Sequence, residues 1–359
     1  MDYQIKLFSE INKELKEYWL KIEENSQSTC FNSIAWIENY ILSYKEDMIN
    51  SKLRIFVIFY ENEPVCIFPF EIVKKYKVNV LQWICDLKTD FNAPPQKKNF
   101  SFEKDSFNQI WNKLIKMIPE VDVIFLKKQV NFSDTKKNPF ISFLKNKKEG
   151  YIYKICLPQR WDDYTKKILK KKFYFDLVRT KKLIKKEGKV EFITAKNSEQ
   201  KKIFLEELVK QKKHKLSKNN INLFNEKDLN FYKNFENYKN KKYTTHVTAI
   251  KLNGEFIAMH WGIFAKNYYY YLLPSMKEGR FKRFSPGKLL LSILVRWAIS
   301  KKIDFFDFGL GEESYKKKWS NKKENIYSYI RLNKLKGIFY YITIKIVKTI
   351  ILFKKNINR

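Results

Sequence analysis

Between residues 268 and 311 an aromatic β-type run, YYYYLLP, is followed by a basic turn, a helix start and a second β-type run, IDFFDFGLG. No other feature limits the possible folds as strongly. The turn KRFSPGKLLL (282–291) gathers Ser285, Pro286 and Gly287 between a cationic cluster and a leucine run. Ser285 suits an N-cap, and Pro286 suits the first helical position, whose N–H lacks a helical partner anyway. Leu290, Ile293, Leu294, Trp297 and Ala298 then recur at helical spacing on one face. A helix starting here aims its first-turn N–H groups, including those of Gly287 and Lys288, back at the loop, where partial positive charge favours phosphate. Arg280, Lys282, Arg283 and Lys288 surround that end. The same residues also make an ordinary capped helix, so both readings stand.

The rest of the chain alternates in the same way, which predicts an α/β fold of mixed sheets flanked by helices. LRIFVIFYENEPVCIFPFEIV (53–73) reads as a hairpin, 78–87 as a third strand and Thr89–Pro95 as a loop. A helix near 103–118 and a strand at 121–126 complete this half. The Lys-, Asn- and Ser-rich stretch 131–150 marks a boundary. Beyond it come a strand at 151–157, a basic helical stretch at 161–188 closed by Gly188, and a helix at 198–216. A hairpin about Asn253-Gly254 follows. We therefore expect domains at 1–150 and 151–335, with an apolar and basic tail at 336–359.

With 359 residues, 44% of them apolar, the chain can bury a sizeable interior and is not disordered. Its net charge of +34 favours anionic partners, but only eight of the 72 basic residues are arginine. The excess of Lys, Asn and Ile reads as the drift of an AT-rich genome, so charge alone is a weak pointer. Against that background, two arginines in one turn suggest planar, bidentate phosphate contact. Cys30, Cys66, Cys85 and Cys156 are scattered, and His214, His246 and His260 lie far apart, so no metal is expected. The charged N-terminus lacks a secretory pattern, so a cytoplasmic protein is the expectation. GIFYYITIKIVKTIILF (337–353) is shorter than the ~20 residues that span a bilayer. It reads as an interfacial helix touching the inner face of the membrane, or as a strand.

Strand, phosphate-binding turn, helix, strand is the pyrophosphate-binding core of acyl-CoA-dependent N-acyltransferases of the GNAT superfamily. The stretch from His246 to Trp319 resembles the C-terminal half of the BioF2-like/CelD-type acetyltransferases, relatives of the FemAB transferases. The matching pieces are Asn253-Gly254 with Ile257-Ala258, Ser285-Pro286-Gly287 with Leu289-Leu290, Asp307-Phe308-Gly309, and Glu313-Ser314-Tyr315-Lys316 with Trp319. KKFYFDLVRTKKLIKKEG is similar to the family's basic helix. Phe31 to Trp36, Pro69 and Thr89-Asp90-Phe91 match more loosely, and the likeness spans most of residues 30–330. The chain departs from the pattern near 210, where it reads Gln211-Lys-Lys-His214-Lys without the His and Arg-Trp often found there. The resemblance implies two tandem GNAT-like domains. It also implies transfer of an acyl group from acyl-CoA, acetyl-CoA above all, to an amine or sugar acceptor, often a cell-surface polysaccharide or its precursor. Arg280, Arg283, Ser285, Gly287 and Lys288 would then hold the cofactor.

Acyl transfer to an amine needs a base for the incoming ammonium and an acid for the leaving thiolate. Asp307, Glu313 and Tyr315, at or just past the end of the last strand, are the catalytic candidates, each with a plain packing role as the alternative. His260 reads as a core residue. Trp36, Asp90 and Phe91 are the substrate-binding candidates, or simple packing. The lysines of 166–186 read as a solvated face, so nucleic acid is not expected as a partner. The exception is tRNA, if the donor is an aminoacyl-tRNA as in FemAB-like enzymes. A non-catalytic anion- or nucleic-acid-binding protein is the third class left open.

Overall fold

The structure is a computed structural model that describes residues 3–26, 29–132, 136–217, 224–237, 242–265 and 267–357. It divides into two units, residues 1–149 with 326–359, and residues 150–325.

The first unit begins with β1 (Tyr3–Phe8), α1 (Lys13–Glu24), α2 (Ile34–Ser43), β2 (Ser51–Tyr60), β3 (Glu63–Lys75) and β4 (Val78–Trp83). α3 (Lys104–Lys116), β5 (Val123–Gln129) and α4 (Pro139–Phe143) follow. β1 to β4 form an antiparallel meander and β5 runs parallel to β4. The β2–β3 turn works because Glu61 and Asn62 both take positive φ (50° and 60°), which matches the right-handed twist of the strands. Alternation along β3 and β4 sends Phe68, Phe70, Ile72, Leu81 and Trp83 to one face. There they pack against Phe107, Ile110, Trp111 and Leu114 of α3. The opposite face carries Glu71 and Gln82 side by side. Glu71 accepts from Gln82 Nε2 at 2.9 Å and from Ser51 Oγ at 2.6 Å, and burial pushes its carboxyl up.

β6 (Lys147–Cys156) leads into the second unit, followed by α5 (Trp161–Asp163), α6 (Lys171–Lys186), β7 (Val190–Thr194), α7 (Ser198–Ser217) and α8 (Glu226–Asn237). Then come β8 (Thr244–Leu252), β9 (Glu255–Ala265), β10 (Tyr268–Met276), α9 (Pro286–Ser300), β11 (Phe305–Leu310), α10 (Ser314–Trp319) and β12 (Lys322–Leu332). β7 to β10 form an antiparallel meander, β11 runs parallel to β10, and β6 lies antiparallel on β11. Its core packs Tyr269, Tyr271, Phe306 and Phe308 under the leucines of α9 and beside Leu177 and Ile184 of α6. The two units thus repeat one plan of meander, parallel pair and antiparallel final strand. β12 supplies the final strand of the first unit by pairing with β5 over Tyr327–Leu332, and α11 (Lys336–Ile357) completes that unit.

Two boundaries differ from the sequence reading. The chain returns to the first unit at Ile326 rather than ending a domain at 335, because β12 pairs with β5. The basic stretch 161–188 is broken at Leu169–Lys170 rather than continuous. Leu169 is buried there, and Tyr164 is anchored just before it by its hydroxyl donating to Trp319 O at 2.7 Å. The tail is helical, not a strand. Among the described residues no helix is long and apolar enough to cross a membrane.

Candidate active site

The centre of the second unit is a place where two parallel strands part. β10 and β11 pair only over Tyr268–Tyr270 and Phe305–Asp307. Past that point β10 bulges between Tyr271 and Leu273 and continues beside β9 to Met276, while the register of β11 against β6 shifts between Asp307 and Leu310. The two strands therefore no longer bond to each other past Tyr270 and Asp307. The far end of β10 is held by Gln211 of α7, which accepts from Ser275 Oγ at 3.0 Å and donates to Phe256 O at 3.1 Å. β11 leaves the sheet through Gly309 (φ 66°) and Gly311 (φ 124°). At Gly311 the left-handed φ of 124° favours glycine.

Next to the parting, α9 begins at Pro286 as expected, but Ser285 is not a side-chain cap. It sits in the left-handed region (φ 44°) and its hydroxyl caps nothing. Its carbonyl instead accepts from Lys288 N at 2.9 Å and Leu289 N at 3.3 Å. The Gly287 N–H has no acceptor among the described residues. A Cβ on Gly287 would meet only Met276 Sδ, at 3.9 Å, so nothing in the chain itself requires glycine there. An unpaired amide at a helix start fits the approach of a phosphate. The basic residues around it are engaged with acids. Arg280 pairs with Glu255 at 3.5 Å, Arg283 with Glu187 at 3.1 Å, and Lys288 with Asp176 of α6. The two arginine pairs are largely exposed, and such pairs contribute about 0–1 kcal/mol, so an anion can displace them.

Asp307 lies beneath the parting with no exposed surface. Its Oδ1 accepts from Gly309 N at 2.7 Å, and its Oδ2 accepts from the Tyr268 hydroxyl at 2.5 Å with Lys154 Nζ at 3.5 Å. Lys154 also pairs with Glu324 at 2.8 Å. Burial pushes the Asp307 carboxyl up, opposed by Lys154 and by its two hydrogen bonds. Burial and the neighbouring Asp307 carboxylate push the Tyr268 phenol well above its ordinary value. This carboxylate fixes the turn at Gly309. Glu313 is the accessible carboxylate, with its side chain 56% exposed and paired to Lys316 at 3.0 Å. Lys316 is itself buried and donates to Leu310 O at 2.6 Å, which ties the 310–316 turn together. Tyr315, half-buried, sets its ring edge-on to Phe308 at 6.2 Å.

His260 is a core residue, stacked on Tyr271 at 4.2 Å. It belongs to a chain of polar groups that sequence spacing did not show. The Tyr269 hydroxyl lies 3.0 Å from His246 Nδ1 and 3.3 Å from His260 Nδ1, and His246 stacks on Trp297 at 4.0 Å. Burial holds His246 down at about 4 and His260 well below its usual value, so both are neutral.

Trp36, Asp90 and Phe91 belong to the first unit. Trp36 and Phe91 are each buried against Phe31, with ring centroids at 5.2 and 4.9 Å, while Asp90 is partly exposed in the loop. The two aromatic rings are core packing of that unit. Sequence reasoning missed Lys154, Tyr268 and Gln211 as supports of the site. Lys154 is one lysine among many, and only the register of β6 on β11 brings it to Asp307. Among the described residues no group of three or more His, Cys, Asp or Glu side chains is placed to hold a metal, and none of the four cysteines is in a disulfide.

Residues 171–317 match the acetyltransferase (GNAT) domain family. No curated protein matches the chain significantly. Among solved structures, FemX superposes with a TM-score of 0.62 at 11% identity, covering 95% of this chain and all of that one. The tandem GNAT protein from the clavulanic acid biosynthesis pathway gives 0.51 at 6% identity, over 92% of this chain and 98% of the other. L-PGS from Bacillus licheniformis gives 0.51 at 14% identity, over 87% and 96%.

Proposed function

We propose that the chain is a GNAT-type N-acyltransferase, on the GNAT-domain match of residues 171–317 and the fold it shares with FemX and a tandem GNAT protein, and that it moves an acyl group, acetyl first among candidates, from acyl-CoA to an amine or sugar acceptor in cell-surface polysaccharide assembly. The observation that carries the donor assignment is the parting of β10 and β11 beside the unpaired Gly287 N–H. The extended arm of the donor adds to the open edge of β10, while its pyrophosphate takes the amides at the start of α9. The acyl carbon then lies over the end of β11. The acceptor nitrogen attacks that carbon, the C–N bond forms and the C–S bond breaks. Glu313, the exposed carboxylate, takes the ammonium proton, and the Tyr315 hydroxyl gives a proton to the departing thiolate. Asp307 acts from below as a positioning residue through Gly309 N.

A second reading, transfer from aminoacyl-tRNA, draws on the fold shared with FemX and on the basic face of α6, where Lys171, Lys172, Lys181, Lys182, Lys185 and Lys186 are exposed. Titrating the chain with acetyl-CoA and, separately, with charged tRNA distinguishes the two. Binding of acetyl-CoA that is competed by free CoA is the expected result. Binding of tRNA with no response to acetyl-CoA overturns the acyl-CoA donor. Mass spectrometry of the acceptor mixture after turnover then names the acyl group.

A further inference from the structure

α11 packs onto the first unit by one narrow stripe and turns a second apolar stripe outward. The inner stripe is Gly337, Tyr340 and Ile344. Tyr340 is buried against Val78, Val80, Val123 and Phe125, and a Cβ on Gly337 would strike Val123 Cγ2 at 2.7 Å, so the helix rests directly on β5. At about 100° per residue, Phe339, Ile342 and Ile346 fall on the opposite side of the helix, in line with Leu335 at its entry. Leu335 is 79% exposed and Phe339 74%. An ordinary surface helix carries its charges there. Here the charges flank the stripe instead. Lys336 and Lys345 are exposed beside it, Lys334 pairs with Asp122 at 3.7 Å, and residues 336–357 contain no acidic residue.

We propose that α11 lies in the surface of an anionic lipid bilayer, with Leu335, Phe339, Ile342 and Ile346 in the headgroup–acyl boundary and the flanking lysines on lipid phosphates. The charge pattern selects this occupant. A second copy of this chain would bring the same lysines against lysines, whereas an anionic headgroup layer complements them and the net charge of +34. The helix meets the membrane in its plane, since it is not long and apolar enough to cross it. This placement does not depend on the donor or the acceptor of the reaction.

The test is co-sedimentation of the full chain with vesicles of phosphatidylcholine alone and of phosphatidylcholine mixed with phosphatidylglycerol. The mixed vesicles should bind the chain and the neutral ones should bind it far less. Phe339→Glu with Ile342→Glu should reduce partitioning roughly 100-fold, because two exposed apolar anchors become charged. Both side chains are exposed, so the thermal midpoint should hold. Leu20→Glu, at a site on α1 as exposed as Ile342, should leave vesicle binding unchanged. Three results overturn the proposal. One is no binding to mixed vesicles, and another is binding that survives the double substitution, which would trace it to overall charge. The third is a dimer in lipid-free solution that the double substitution dissociates, which would assign the stripe to a second copy.

Discussion

Gly287→Ala separates a donor cradle from an ordinary helix start, because the two predict opposite signs for stability and binding. The added Cβ meets only Met276 Sδ at 3.9 Å, an ordinary van der Waals contact, so no strain opposes it. Glycine within a helix costs roughly 0.5–1 kcal/mol relative to alanine, so the variant should be as stable as the parent or more stable by up to that amount. Under the donor reading the same methyl would crowd a phosphate approaching the Gly287 N–H. A hydrogen bond to a charged group contributes about 1.5–3 kcal/mol, which is about ten- to a hundred-fold in Kd. Calorimetric titration with acetyl-CoA, with a thermal melt on the same samples, reads both quantities. The expected result is weaker binding together with an unchanged or raised midpoint. Unchanged affinity with raised stability would show that α9 begins as any helix does and that the phosphate assignment is mistaken. Loss of both would mean that the turn itself is damaged, which contradicts the open space around Gly287.

The remaining predictions concern the groups around β11 and the buried histidines. Tyr315→Phe and Glu313→Gln should each lower kcat by roughly 10²–10⁴-fold while Kd for acetyl-CoA stays within a few-fold, and near-normal turnover in both would remove them from the chemistry. Asp307→Asn should lower stability by roughly 1–3 kcal/mol, since a buried amide cannot serve the Gly309 N–H, Tyr268 and Lys154 together. Below the melting range its kcat should fall less than about ten-fold; a drop as large as that for Glu313 would make it the base instead. His246 titrates at about 4 when folded against 6.5 in an open chain, so unfolding takes up its proton first as pH falls. Stability should therefore drop by about 3 kcal/mol between pH 6.5 and 4, with His260 adding in the same direction, and denaturant titrations of His246→Phe should show a shallower fall.

What could be read from the sequence was whatever a local rule governs. The Asn253-Gly254 hairpin forms because both residues take positive φ (51° and 82°), and α9 starts at Pro286 because proline suits that position. The α/β class came from the same kind of signal. What was not legible depends on register between distant strands. Lys154 meets Asp307 only because β6 lies on β11, and β12 belongs to the first unit only because Tyr327–Leu332 pair with β5. Ser285 shows the limit of a local rule. Its residue type fits a cap, yet the 3-10 turn Arg280–Phe284 delivers it in the left-handed region with its hydroxyl turned away from capping.

The repeated plan of the two units makes their one difference instructive. In the first unit β4 and β5 also pair briefly, over Val80–Leu81 and Val123–Ile124, and then part. There the chain fills its own gap. Asn92 N donates to Lys128 O at 2.7 Å and Val130 N donates to Asn92 O at 3.1 Å, so Asn92 takes the place beside β5 that a ligand would need. Pro95 O and Lys97 N then bond to Ile67 and Val65 of β3, and the Asn32 side chain anchors Ala93 N at 3.0 Å. α3 follows at Lys104, after Glu103, with no counterpart of the glycine that starts α9. Filling satisfies backbone groups that would otherwise stay unpaired, so the first unit is complete without a ligand. The second unit has no such insert, because only nine residues separate β10 from α9 and they are used in the 3-10 turn that sets Ser285. From one shared plan, the length of the connection after the fourth strand decides which unit closes on itself and which stays open.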